Sequence, residues 1–157
     1  MITLLLSGED SVGTWLSGAL LVASTTLALQ LWKRRGAWPW SLTTAFFGLL
    51  ALDERFMFHE TLKERIQVGL AESHSPDFVS ETPVLFGALA GVFVCTTLWR
   101  RLQPKGRRLL LAGAVLGAVS VALDVLHAGA LPEDACKLLA ELCVLQSLWG
   151  EATSLRV

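Results

Sequence analysis

The sequence predicts an all-α polytopic membrane bundle of about five transmembrane helices, or four if the last does not span, with the N-terminus outside. Three observations predict it. Of 157 residues, 53% are hydrophobic and only 17% are charged, against about 25% charged in a soluble domain. Apolar runs of roughly 20 residues recur, the length a helix needs to cross a hydrocarbon core of about 30 Å. Eight of the thirteen Lys and Arg fall in two short stretches that contain no acid, the bias that marks the cytoplasmic side of a membrane protein. One bundle over 1–157 accounts for the length, and the mean hydropathy is +0.54.

The first spanning segment is read over 12–32, an apolar run with Gly18 and Ala19 that also serves as an uncleaved insertion signal. The preceding MITLLLSGEDSVG has no basic region and a five-residue apolar run, so it does not read as a cleavable signal peptide. Lys33, Arg34 and Arg35 follow, and a second segment runs over 38–58, apolar in its first half and charged near its end. Beyond it, Leu62, Ile66 and Leu70 keep helical spacing, which predicts that this segment continues out of the membrane as an amphipathic helix. His74-Ser75-Pro76 breaks that helix, and His74 reads as an exposed loop residue.

The third segment, 83–99, and the fourth, 109–127, flank Arg100, Arg101, Lys105, Arg107 and Arg108. Gly87-xxx-Gly91 and Gly113-xxx-Gly117 have the four-residue spacing that lets helix backbones approach closely. A fifth segment, 132–150, opens on Pro132-Glu133-Asp134, a good helix start. Lys137 and Glu141 shorten its apolar part, so it spans only if both are sheltered. Trp32, Trp38, Trp40 and Trp99 border the two basic stretches, as interfacial indoles do, and Trp149 joins that belt if the fifth segment crosses. Cys95, Cys136 and Cys143 read as small buried hydrophobes, because no Cys-x-x-Cys pair exists.

Ionisable residues at membrane depth are costly unless they have a partner or a task. Here they are Asp53, Glu54, His59 and Glu60 on the second segment, Asp124 and His127 on the fourth, and Glu141 on the fifth. Counting about 1.5 Å per residue from the basic ends places all of them toward the outer side. Carboxylates and imidazoles converging from several helices suit a divalent metal such as zinc, iron or manganese. On that reading Asp53, His59, Asp124 and His127 are ligands, and Glu60 and Glu141 act as general bases or further ligands. Asp124 and His127 are three apart, the spacing of the Glu-x-x-His found in di-iron carboxylate bundles. Glu54 lies about 100° from Asp53 around the helix and is the weakest candidate. Haem b between His59 and His127 is disfavoured, because four carboxylates flank the two imidazoles.

Asp53-Glu54-x4-His59-Glu60 at the outer end of a spanning helix, with a late acid-bearing helix around Ala140-Glu141, resembles small bacterial multipass membrane proteins of unassigned function. That resemblance implies a bacterial inner membrane and no particular activity. A looser similarity links the chain to the intramembrane metal-dependent hydrolases that include alkaline ceramidases. Those have seven helices and three histidine ligands, whereas about five helices and two membrane histidines are read here.

Two functional expectations follow. The first is a metal-binding membrane protein, a hydrolase or oxidoreductase acting on a lipid or quinone. The second is a non-enzymatic subunit or proton- or ion-conducting component of a larger complex. The expected partners are the lipid bilayer and, on the second reading, other membrane subunits or further copies of the chain; nucleic acid is not among them. Pairing of the acids with Arg55, Lys63, Arg65 and Lys137 as a purely structural cap stands beside both.

Overall fold

The computed structural model describes residues 12–71, 82–126 and 130–154. Among them the chain is helical throughout, in six helices: α1 (Val12–Arg35), α2 (Trp38–Phe56), α3 (Phe58–Ala71), α4 (Thr82–Trp99), α5 (Pro104–Val125) and α6 (Ala130–Thr153). Three of these, α1, α4 and α5, are long and apolar enough to cross a membrane. Their large exposed side chains, among them Leu16, Val22, Phe86, Leu89, Phe93, Leu111 and Val115, present an apolar surface suited to lipid.

Packing closes α1, α2, α4, α5 and α6 into a ring, each against two neighbours, in the order α1–α2–α4–α5–α6 and back to α1. One stripe of each helix faces inward. On α1 it is Gly13, Ser17, Leu21, Ser24, Ala28 and Leu31. Steps of three and four keep these on one face, and the small residues allow close approach. Trp40, Thr43 and Phe47 form the stripe of α2, and Gly106, Leu110, Gly113 and Ser120 that of α5. Gly113 marks the tightest crossing, because a Cβ there would stand 3.0 Å from the carbonyl oxygen of Ala140. The other small-residue positions differ: Gly117 would make only an ordinary contact, and Gly87 faces open space.

The helix ends depart from the sequence reading in informative ways. Lys33, Arg34 and Arg35 form the last turn of α1, where cations complement the helix dipole. Gly36 then takes a left-handed conformation (φ 64°) and its N–H donates to Trp32 O at 2.7 Å, a C-terminal glycine stop. Pro39 opens α2 and Pro104 opens α5, so Lys105, Arg107 and Arg108 lie in the first turns of α5 rather than in a loop. The second segment does not continue unbroken. It ends at Phe56, Met57 adopts φ 49°, and α3 starts afresh at Phe58.

Burial is strongest at the basic end. Leu31, Leu98, Leu148 and Trp40 are all within 1% of complete burial and form an apolar layer there. Trp40 borders the basic stretch in sequence but belongs to this layer, while Trp32, Trp38, Trp99 and Trp149 are exposed around the same end.

Candidate functional site

Away from the basic end, the inward stripes turn polar. Continuing α2 from Trp40, Thr43 and Phe47 through Leu50 reaches Glu54, whose side chain is 13% exposed. On α6, Ala140, Val144 and Ser147 share their stripe with Lys137. The Lys137 ammonium donates to Glu54 Oε2 at 2.5 Å, joining α6 to α2 across the ring. One turn further along α6, Glu141 Oε1 accepts 2.7 Å from the buried Ser17 hydroxyl of α1. Glu141 Oε2 is buried and accepts no hydrogen bond among the described residues. Asp134 and Glu141 both lie within electrostatic reach of Lys137. Two helices, α2 and α6, thus place three carboxylates around one ammonium, and α1 adds the Ser17 hydroxyl.

Asp53, one residue before Glu54, faces elsewhere. Its Oδ1 accepts the backbone N–H of His59 at 2.9 Å and its Oδ2 lies 2.7 Å from His59 Nδ1. Both oxygens therefore work across the break at Met57, holding the first turn of α3 against the end of α2. The other imidazole nitrogen, Nε2, is 3.3 Å from Glu60 Oε1, and Glu60 is otherwise well exposed. Arg55 sits 4.9 Å over the ring of Trp15, tying the same end of α2 to the start of α1.

Asp124 continues the α5 stripe of Gly113, Gly117 and Ser120, half-buried. His127 and His74 lie outside the described residues. Among the described residues no three His, Cys, Asp or Glu gather closely enough to hold a metal ion. The structure therefore joins Asp53 to His59 and His59 to Glu60. It places Glu141 with Ser17 and Lys137 and turns Glu54, the weakest candidate by helix facing, into a largely buried acid paired with Lys137. Its inward stripe with Trp40 and Phe47 is the signal that finds it; comparing it only with Asp53 hides that.

A second polar group, not singled out in the sequence, sits at the basic end. Arg35 Nη2 pairs with Glu151 Oε1 at 2.7 Å, and Glu151 is 4% exposed. Its other oxygen accepts the Gln103 backbone N–H at 3.2 Å, and the Arg35 guanidinium lies 5.7 Å over the Trp40 ring. Ser147 donates to Gly106 O at 2.9 Å beside it. This group and the apolar layer of Leu31, Trp40, Leu98 and Leu148 close the bundle at that end. A cleft of about 470 Å³ between α5 and α6, lined by Gln103, Lys105, Trp149 and Glu151, opens beside it.

Comparison with known proteins gives a family and no activity. The chain belongs to the family defined by a domain of unknown function, DUF8692, whose model matches residues 5–149. No curated protein and no solved structure matches it.

Proposed function

We propose that the chain crosses a bacterial inner membrane five times, N-terminus outside, and that its polar centre binds and exchanges a proton or a small cation reached from the outer side. The observation that carries this is the charge count around Lys137. Glu54, Asp134 and Glu141 face one ammonium, three formal negative charges against one positive. Asp134 belongs to the opening turns of α6, so Glu54 and Glu141 against Lys137 leave an excess of one negative charge at membrane depth, which a proton or a cation must offset. The partnerless Glu141 Oε2 is where such a cation or proton is held.

The closure at the basic end gives the direction of access. Leu31, Trp40, Leu98 and Leu148 form a buried apolar layer there, and Glu151 is already paired. Exchange is therefore with the outer side, and the protein acts as a non-enzymatic component, alone, as a homo-oligomer or within a larger complex. A divalent metal is the second reading. The Asp53–His59 contact with Glu60 beside it favours this reading, but both Asp53 oxygens are already engaged by His59 and no third ligand gathers with them among the described residues.

Infrared difference spectra of the purified protein between acid and alkaline pH test the proposal, with and without sodium. The expected result is a carboxylic C=O band that disappears in Glu141→Gln, and whose sodium sensitivity separates cation from proton binding. Stoichiometric zinc, iron or manganese lost in Asp53→Ala would establish the metal reading instead. A Glu141→Gln spectrum identical to wild type overturns the proposal and leaves a structural polar cap.

A further inference from the structure

We infer that α3 is a membrane-interface helix, lying in the headgroup region at the end of the bundle opposite the basic turns, with lipid as the occupant of its apolar face. The inference rests on the five-crossing topology proposed above, in which α2 spans, and not on what the polar centre binds.

Length sets the level. From Trp38 to Phe56 α2 rises about 28 Å at 1.5 Å per residue, which matches a hydrocarbon core of about 30 Å. The chain therefore reaches the far boundary where Met57 breaks the helix. A helix continuing straight would project into water. The left-handed turn instead redirects it, and the two bonds from Asp53 to His59 fix the new direction. After the break, α3 packs against α4 as well as α2.

The exposed apolar surface is continuous across that break. Leu49, Leu52 and Phe56 form an exposed apolar stripe of α2, at steps of three and four, which faces lipid where α2 spans. Phe56 stacks on Phe58, ring centroids 5.6 Å apart at 29°. Phe58 and Leu62 then carry the stripe along α3, and the half-buried Ile66 continues it one turn on. Glu60 and Glu64 occupy the opposite side and are exposed. An apolar stripe joined without interruption to a bilayer-facing one is covered by the same bilayer. This is the amphipathic pattern of a helix lying in the interface plane.

Charge narrows the partner further. Glu60 and Glu64 are balanced by Lys63 and Arg65 in the sequence, so α3 carries no net formal charge apart from His59. Anionic lipid gains little over zwitterionic lipid, and the contact is apolar and indifferent to salt.

The test places an environment-sensitive fluorophore through Leu62→Cys, and separately through Glu64→Cys, in the full chain with Cys95, Cys136 and Cys143 replaced by Ala. Each is reconstituted in phosphatidylcholine vesicles. The expected result is several-fold stronger quenching at position 62 by a lipid with a shallow acyl-chain nitroxide than by aqueous iodide. Position 64 shows the reverse, and added phosphatidylglycerol or salt changes neither. Equal iodide quenching at both positions means that α3 projects into water and overturns the inference. Protection of position 62 from both quenchers means that protein, a second copy or another subunit, covers this face and overturns it equally.

Discussion

Arg35 and Glu151, 2.7 Å apart, join the last turn of α1 to the last turn of α6 and hold shut the end of the bundle where the basic residues gather. Glu151 is the more buried partner, so losing Arg35 strands a carboxylate whose remaining described hydrogen bond comes from Gln103 N–H. Breaking a fully buried pair costs 3–5 kcal/mol; because the Arg35 side chain is 28% exposed, Arg35→Ala should cost about 2 kcal/mol. Glu151→Gln keeps the shape and an acceptor, and should cost about half as much. Thermal unfolding in detergent measures both, and equal losses would mean that the charge pairing contributes nothing beyond packing.

The Glu54–Lys137 contact makes a stricter test, because two other acids surround Lys137. Lys137→Ala leaves Glu54 facing Glu141 and Asp134 uncompensated, and stability should fall by about 2–3 kcal/mol. Glu54→Ala should cost less, since Asp134 and Glu141 still face the ammonium. The double change Glu54→Ala with Lys137→Ala should be milder than Lys137→Ala alone. A double-mutant cycle in denaturant reads the coupling directly, and additive losses would show that the pair is not coupled.

Much of this arrangement was legible in the sequence as inward stripes. Spacing by three and four from Trp40 through Thr43 and Phe47 points to Glu54, and the α1 stripe that ends at Leu31 points one turn further to Arg35. On α6, Ser147 and Glu151 follow Val144 in the same way. What hid Glu151 was its place beyond the apolar run, where an acid reads as solvated. The break at Met57 was illegible for another reason. Methionine carries no left-handed signature, unlike the glycine at position 36. Asp53 and His59 are six apart, a separation at which residues of a continuous helix are not neighbours. Only the break brings them together.

The glycine positions separate helix contact from helix composition. Gly113 is closed in by Ala140 O at 3.0 Å and Val144 Cγ2 at 3.1 Å, while the nearest atom to a Cβ at Gly117 is Ala140 Cβ at 3.9 Å. Gly113→Ala should therefore push α5 from α6 and cost about 1–3 kcal/mol. Gly117→Ala and Gly87→Ala should be neutral or slightly stabilising through helix propensity. Detergent-resistant folding monitored by circular dichroism distinguishes them, and a tolerated Gly113→Ala would show that the crossing can relax.

Topology is decided by a reporter fused after Val157. Ser17 with Glu141 and Arg35 with Glu151 pair α1 and α6 in the same direction, so both helices end on the basic side. A cytoplasm-dependent reporter should be active there, and a periplasm-dependent one silent, as five crossings from an outside N-terminus require. A periplasmic signal would mean either that α6 does not cross or that the whole bundle is inverted; the same pair of reporters after Arg101 separates those two outcomes.

Met57 and Asp53 act on the same break with opposite signs. A methionine held at φ 49° costs about 1 kcal/mol that glycine avoids. Met57→Gly should therefore leave stability unchanged or raise it by up to about 1 kcal/mol, the gain being limited by the freedom glycine adds to the unfolded chain. Asp53→Ala removes both bonds to His59, which resembles loss of a helix cap, and should cost about 1–2 kcal/mol. Asp53→Asn retains one acceptor for the His59 N–H and should fall between. Hydrogen exchange at His59 and Thr61 localises the effect: the amides should exchange faster in Asp53→Ala while those around Phe47 stay protected. If protection is lost evenly along α2, Asp53 supports the whole bundle rather than the joint between α2 and α3.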